Sequence, residues 1–284
     1  MKHVRIEHDS RALEGTLDGE VVRAGGVEVR VGDVQRWLAP VTPGKILATH
    51  LTYRSRAEEY KMARMPSEPS YFMKPPSSLS GHLAPVARPP GCRFLNYEGE
   101  VAVVIGRRCH RVSVEEALEY VGGYTVANDW GVHDFRHADR GSMLRVKGHD
   151  GFCPLGPVMV DAGAVDPGDL TLRTFVNGEE VQHGHTGTDL MFSFAYQIAD
   201  LARLITLEPG DVLLTGTPAH SRPVEPGDVV AVEVEGIGRL ENTVVQSEEA
   251  LAEVGDQPAV TAQTLHVALT MPEQEAERSV GVPS

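Results

Sequence analysis

Glu98-Gly99-Glu100-Val101-Ala102-Val103-Val104-Ile105-Gly106 decides how the rest of the chain is read. The run from Val101 to Ile105 is apolar and rich in β-branched residues, and Gly106 ends it, which is the pattern of a buried strand. A strand turns successive side chains to opposite faces, so Glu98, Glu100, Ala102 and Val104 share one side. Two carboxylates side by side at the mouth of a buried strand repel each other. Burial also strips hydration that nothing adjacent in sequence restores. A divalent cation would answer both costs, and hard cations such as Mg²⁺ or Ca²⁺ take oxygen ligands. The competing reading is a solvated carboxylate pair at a strand end, because surface glutamates are common.

On the N-terminal side, Lys45-Ile46-Leu47-Ala48 starts a strand after the linker-like Pro40-Val41-Thr42-Pro43-Gly44. Residues 1–42 read as a small β element, with an Asp18-Gly19 hairpin signal and strict alternation from Val27 to Val31. Residues 54–68 are charged and helix-permissive, either a mobile lid or a solvated helix. On the C-terminal side, Ser113-Val114-Glu115-Glu116 is a capping box that predicts a helix over 114–121. Tyr124 to Asn128 reads as a strand ending at Asp129. Asn177-Gly178 predicts a type I′ hairpin between 170–176 and 179–182. Leu190, Phe194, Ile198, Leu201 and Ile205 keep helical spacing, with Thr188 or Asp189 as cap. His183-Gly184-His185 reads as a polar turn and not a metal site. The segment from Gln257 reads as a loosely held tail. The domain division expected is therefore 1–42, 43–250 and 251–284.

The 284 residues carry 26 Lys and Arg against 40 Asp and Glu, a net charge of −14. Such a surface repels nucleic acid and anionic membrane, so neither is expected as a partner. It also means that an anionic substrate needs a locally basic or metal-containing site. No apolar run approaches the ~18 residues that span a bilayer, and the N-terminus lacks the apolar core of a signal peptide. Three scattered cysteines, Cys92, Cys109 and Cys153, form neither a zinc pattern nor a disulfide framework. The expectation is a cytoplasmic protein with reduced thiols.

Five motifs then occur in order. They are Tyr97 to Gly106; Gly123-Tyr124-Thr125-Val126-Ala127-Asn128-Asp129; Arg145-Val146-Lys147 with Asp150 to Pro157; Phe175-Val176-Asn177-Gly178; and Gly210 to Pro218. This ordered set resembles the fumarylacetoacetate hydrolase family over roughly residues 45–247. The resemblance implies an α+β, β-rich fold, a rolled mixed β-sheet with few helices, and a homodimer. It implies a divalent metal on Glu98, Glu100 and Asp129, with Mg²⁺ first and Mn²⁺ or Ca²⁺ as alternatives. It implies that Lys147 moves protons, with a pKa lowered by nearby cation charge, and that Gly216 and Thr217 of the Gly216-Thr217-Pro218 turn hold a substrate carboxylate. Tyr53 matches the family's Asn-Tyr pair, with Thr52 at the Asn position.

The departures are as informative. The family's hydrolases activate water with a His–Glu pair on the lid segment. Here the Glu is Glu59, but the His position is Arg56, and a guanidinium stays protonated and cannot serve as general base. After Asp129, the family's Arg and Gln positions are His133 and Arg136. The chain most resembles the isomerase/decarboxylase branch of 4-hydroxyphenylacetate (homoprotocatechuate) breakdown. That branch implies decarboxylation of 5-oxopent-3-ene-1,2,5-tricarboxylate or isomerisation of 2-hydroxyhepta-2,4-diene-1,7-dioate. The substrate expected is a small anionic 2-oxo acid. Lys147 and Glu59 are the candidate catalytic residues, and Tyr53, Arg56, Arg136, Arg140, Gly216 and Thr217 the candidate substrate contacts. The alternatives are an acylpyruvate hydrolase or oxaloacetate decarboxylase of the same family, or a catalytically silent metal-binding member.

Overall fold

The stretch after Glu98 becomes the strand Gly99–Ile105, buried along its whole length, in a computed structural model that describes residues 1–280. Its alternation separates two hydrophobic cores. Val101, Val103 and Ile105 join Tyr124, Val126 and Ile198 on one face. Ala102 and Val104 join Leu95, Trp130, Val146 and Leu155 on the other. Glu100 shares the side of Ala102 and Val104, so a carboxylate enters the second core at its rim.

The main sheet runs in the order Val27–Arg30, Val21–Ala24, Arg11–Asp18, Lys2–His8, Cys153–Asp161, Val121–Asn128, Gly99–Ile105, Val212–Leu214, Ile46–His50 and Ser70–Lys74. Neighbours along this path are antiparallel except Ile46–His50, which lies parallel to Val212–Leu214. A second sheet runs Glu179–His185, Thr171–Val176, Val229–Val234, Gly238–Gln246 and Val86–Arg88. The architecture is the β-rich mixed sheet expected. The first hairpins extend the main sheet, because Lys2 and His3 pair with Val160 and Met159.

One register matters most for function. Gly99 lies opposite Asn128 and Glu100 opposite Ala127 in the antiparallel pair. Asp129, the next residue, therefore leaves its strand beside Glu98, and its N–H donates to the Glu98 carbonyl at 2.8 Å. The register brings a third carboxylate to the first two across 30 residues of chain.

Helices are few and short: α1 Arg54–Glu59, α2 Arg136–Asp139, α3 Leu144–Lys147, α4 Phe194–Ala202, α5 Ala262–Leu269 and α6 Glu273–Val280. Several local expectations differ from this. The lid segment is helical only through Glu59, and Lys61 then takes a left-handed φ of 51° that turns the chain away. Ser113 and Glu116 do exchange capping hydrogen bonds. They lead only to a 3₁₀ turn at Ala117–Tyr120, because the strand Val121–Asn128 begins at once. α4 starts at Phe194 with Ser193 as its cap, since Leu190 is held in a β-bridge to Tyr53. His183-Gly184-His185 lies in the strand Glu179–His185 and not in a turn. The Asn177-Gly178 turn is as predicted, with φ of 51° and 88°. The C-terminal segment is not loose: α5 and α6 bury Leu265, Ala268 and Ala276. Residues 281–284 of the expected tail lie outside the described residues. Among the described residues no helix is long and apolar enough to cross a membrane. All three cysteines are free and buried.

Candidate active site

Carboxylate oxygens of Glu98, Glu100 and Asp129 lie within 4.8 Å of one another. Backbone contacts fix the group. The Glu98 N–H donates to Asn128 Oδ1 at 2.8 Å, and the Gly216 N–H donates to Glu100 Oε2 at 2.6 Å. Gly216 has a φ of 97°, and a Cβ there would sit 1.9 Å from Thr52 Oγ1. The loop can bring its amide to Glu100 only as glycine.

Lys147 of α3 bridges two of the three acids. Its Nζ donates to Glu98 Oε2 at 2.6 Å and to the Asp129 carbonyl at 2.6 Å, and lies 2.9 Å from Asp129 Oδ2. Asp139 holds α3 in place by accepting from the Arg145 and Val146 N–H groups, both at 2.9 Å. That carboxylate caps a helix whose N-terminal neighbour, Met143, has no capping side chain. Lys74, fully buried, pairs with Asp129 from the other side and donates to the Phe152 carbonyl at 3.0 Å.

The charges are unequally matched. Burial opposes ionisation of Asp129, but Lys147 and Lys74 hold its carboxyl below the ordinary value. Burial likewise works against the Lys147 ammonium, yet Asp129 and Glu98 hold it above the usual lysine value. That is opposite to the lowering expected from the resemblance, because its nearest charges are anions; a dication on the same oxygens would push the other way. Glu100 has no cation in salt-bridge range among the described residues. Burial, then Asp129 and Glu98, push its carboxyl well above the ordinary range. An all-oxygen donor set with one buried carboxylate that no side-chain cation meets within salt-bridge range fits a hard divalent cation. The acidic triad could thus hold a metal.

α1 brings Arg56 over this group. Arg56 is 3% exposed, donates to Glu59 Oε2 at 2.8 Å, and reaches Glu98 Oε1 at 3.5 Å. Glu59 is saturated as an acceptor, since Arg222 Nη2 donates to it at 2.6 Å and the His220 N–H at 3.1 Å. Burial raises the Glu59 carboxyl, but Arg56, Arg222 and the His220 amide together hold it below the usual value.

A cavity of 980 Å³ opens beside the triad. Arg56, Glu59, Glu98, Glu100, Asp129, Arg136, Lys147 and Thr217 all line it. Three predicted contacts do not. Tyr53 is fully buried at the N-terminus of α1. Gly216 acts through its amide on Glu100. Arg140 is exposed at the end of α2, where a left-handed φ of 46° turns it out of the wall.

Other wall residues were not singled out from sequence as contacts. His133 is 1% exposed and neither ring nitrogen has a partner among the described residues. Burial, then Lys147, Arg136 and Arg56, hold its pKa well below the ordinary histidine value, so the ring is neutral. Alternation from Asp129 through Gly131 would have placed it on the ligand side. His50 is pushed down to about 4 by burial, then by Lys147 and Arg136; only its place at the end of the strand Ile46–His50 hinted at this. Residues of α5 and α6 form the far wall, which no local pattern announced.

Residues 45–245 match the fumarylacetoacetate (FAA) hydrolase C-terminal family. The chain is 45% identical over 208 residues to a protein from Salmonella dublin named 4-hydroxyphenylacetate degradation bifunctional isomerase/decarboxylase, covering 73% of this chain and 48% of that one. The chain spans about half the length of the curated relatives it matches first. Among solved structures, 5-carboxymethyl-2-hydroxymuconate delta-isomerase from Mycobacterium smegmatis is 36% identical with a TM-score of 0.78, covering 88% of this chain and 100% of that one. The 2-hydroxyhepta-2,4-diene-1,7-dioate isomerase from Mycobacterium marinum is 34% identical with a TM-score of 0.77, covering 88% and 100%.

Proposed function

The chain belongs to the fumarylacetoacetate hydrolase family, and from that premise we propose that it is a metal-dependent enzyme acting on 2-oxo and 2-hydroxy dienoic acids. The reactions proposed are decarboxylation of 5-oxopent-3-ene-1,2,5-tricarboxylate, isomerisation of 2-hydroxyhepta-2,4-diene-1,7-dioate, or both. The observation that carries this reading is Arg56. α1 offers the site a guanidinium locked between Glu59 and Glu98, where a water-activating hydrolase needs a base. Neither proposed reaction needs water to be activated.

Glu98, Glu100 and Asp129 would hold the ion, Mg²⁺ first. When bound, it supplies Lewis-acid stabilisation of developing enolate charge. Lys147 carries the proton. In decarboxylation the carbon–carboxylate bond breaks, its electron pair stays on carbon, and the Lys147 ammonium protonates the resulting anion. In isomerisation the Lys147 ammonium gives a proton to a carbon of the conjugated chain while the 2-hydroxyl gives up its own to the amine left behind, so that the enol becomes the 2-oxo isomer and Lys147 is restored. Arg56 and Arg136 pair with substrate carboxylates, for which a guanidinium fork is suited. Gln182 Nε2 donates to Thr217 Oγ1 at 3.0 Å, which leaves the Thr217 hydroxyl proton for a substrate oxygen. His133, neutral and unpartnered, supplies one donor and one acceptor to the ligand. Glu59 acts by holding Arg56. Tyr53 and Arg140 have no direct part in this reading. The homodimer, the cytoplasmic setting and the division at 42/43 and 250/251 belong to the same proposal.

Product analysis with Mg²⁺ on acylpyruvates, oxaloacetate and the seven-carbon dienoates tests it. Carbon dioxide release from the tricarboxylate or isomer formation from the dienoate, lost on chelation, is expected. Faster cleavage of an acylpyruvate than of any dienoate would overturn it.

A further inference from the structure

The far wall of the cavity comes from a segment that the family match does not include. That match ends at residue 245, whereas α5 and α6 begin at Ala262 and Glu273. Gln263, His266 and Val267 of α5 line the cavity, with Thr270, Met271 and Glu273 continuing the wall into α6. The segment is tied down at several points. Thr261 and Thr264 form a reciprocal capping box at the start of α5. The Ala259 N–H donates to the Asp134 carbonyl at 2.9 Å, and Asn96 Nδ2 donates to the Ala268 carbonyl at 3.0 Å. Leu265 and Ala268 are buried beneath the helix.

α5 also grips the helix that carries Arg56. The Tyr60 hydroxyl donates to the Val267 carbonyl at 3.2 Å. The Tyr60 ring lies 5.7 Å from the His266 ring on one side and 4.7 Å from the Arg56 guanidinium carbon on the other. A continuous line of contacts thus runs from α5 through Tyr60 to Arg56 and on to Glu98. His266 Nδ1 is 2.8 Å from the Met271 carbonyl. A carbonyl can only accept, so Nδ1 carries the proton and Nε2 is left for another group.

We infer that α5 and the turn into α6 form the chain-length and distal-group recognition element of the site. Their substrate is a 2-oxo acid with a carbon chain beyond the metal-binding head. The distal carbons rest on Val267 and Met271, and a terminal polar group meets Gln263 or His266. The size of the cavity supports this: 980 Å³ is at the top of the range of about 300–1,000 Å³ that takes drug-sized ligands, far more than a two- or three-carbon acid fills. This inference rests on the proposed metal-centred reading and specifies the other end of its substrate.

Backbone hydrogen exchange on the full chain tests it, with Mg²⁺ plus oxalate compared to Mg²⁺ plus 2-oxoheptanedioate, a saturated seven-carbon 2-oxo diacid. The seven-carbon acid should slow exchange over residues 262–270 by at least about fivefold, with oxalate leaving these amides unchanged. In the full-length Gln263→Ala/His266→Ala variant, affinity for the seven-carbon acid should fall about tenfold and that for oxalate stay within about twofold, the loss of one or two hydrogen bonds. Equal exchange with both acids, or oxalate binding without any binding of the long acid, overturns the inference and leaves the metal-centred reading intact. Failure of both acids to bind in the presence of Mg²⁺ overturns both.

Discussion

Glu100→Gln should make the metal-free protein more stable and at the same time remove its response to metal. Glu100 is 2% exposed and its oxygens lie within 4.8 Å of those of Glu98 and Asp129. At an effective dielectric near 20, each such pair of unit charges at 4.8 Å repels by roughly 3.5 kcal/mol. Lys147 and the Gly216 N–H offset much of this, so the net relief on neutralising residue 100 is about 2 kcal/mol. The amide keeps an oxygen for the Gly216 N–H, and its NH₂ can donate to Glu98 or Asp129. The sign agrees with the titration. Because this carboxyl is pushed up in the folded chain by burial and by two neighbouring anions, it favours folding when protonated. That contribution is lost as pH rises from its unfolded value through the raised folded one. Gln holds the neutral form at every pH. In urea with EDTA at pH 7, the variant should unfold with a free energy about 2 kcal/mol higher and a melting temperature higher by about 5 °C. With Mg²⁺ at about 100 times its dissociation constant the parent should gain about 2.7 kcal/mol, and the variant almost nothing. A variant less stable than the parent in EDTA, or one that keeps the Mg²⁺ shift, would refute the charge argument.

Two further expectations concern parts that support the site and the sheet. Gly216→Ala places a Cβ against Thr52 at a φ of 97° and should destabilise by about 2–4 kcal/mol; a urea midpoint unchanged within error would show that the loop relaxes freely. His82 is pushed down to about 4 by burial, then by Arg239, and its Nδ1 accepts the Glu241 N–H at 3.0 Å. Protonation would destroy that acceptor. The folded value lies below the unfolded one, so this contribution is complete above about pH 6.5 and is lost as pH falls toward 4. Allowing for its partial exposure, it is worth about 2 kcal/mol. His82→Gln should flatten stability between those pH values, and an unchanged slope would assign the acid sensitivity elsewhere.

The central strand, the Asn177-Gly178 hairpin and the carboxylate triad were legible in the sequence because each is written locally or in an ordered series of short motifs. Alternation alone placed Glu100 on the face of Ala102 and Val104, and the two cores divide along that line. The capping box at Ser113 was legible in its chemistry but not in its outcome. Its hydrogen bonds form, and the strand starting at Val121 leaves no room for a helix. Lys74 was invisible: nothing in Tyr71-Phe72-Met73-Lys74 says that an ammonium ends fully buried against Asp129, 55 positions away.

The C-terminal wall was missed for a related reason. Residues 262–280 are polar with scattered apolar positions, so the segment from Gln257 reads as a loosely held tail. Beside Leu265 the buried positions are the small Thr264, Ala268 and Ala276, and the Ala268 and Val267 carbonyls are held by Asn96 and Tyr60 far back in the chain. Small side chains that allow close approach leave almost no hydrophobic signature, although they fix position as firmly as larger ones. The part of the site that the sequence announced is the part with strong charge, where chemistry restricts residue type. The wall that meets the rest of the substrate is weakly patterned, because many side chains can serve there. Variation in that wall is therefore expected to change which acid is bound while the triad and Lys147 stay the same.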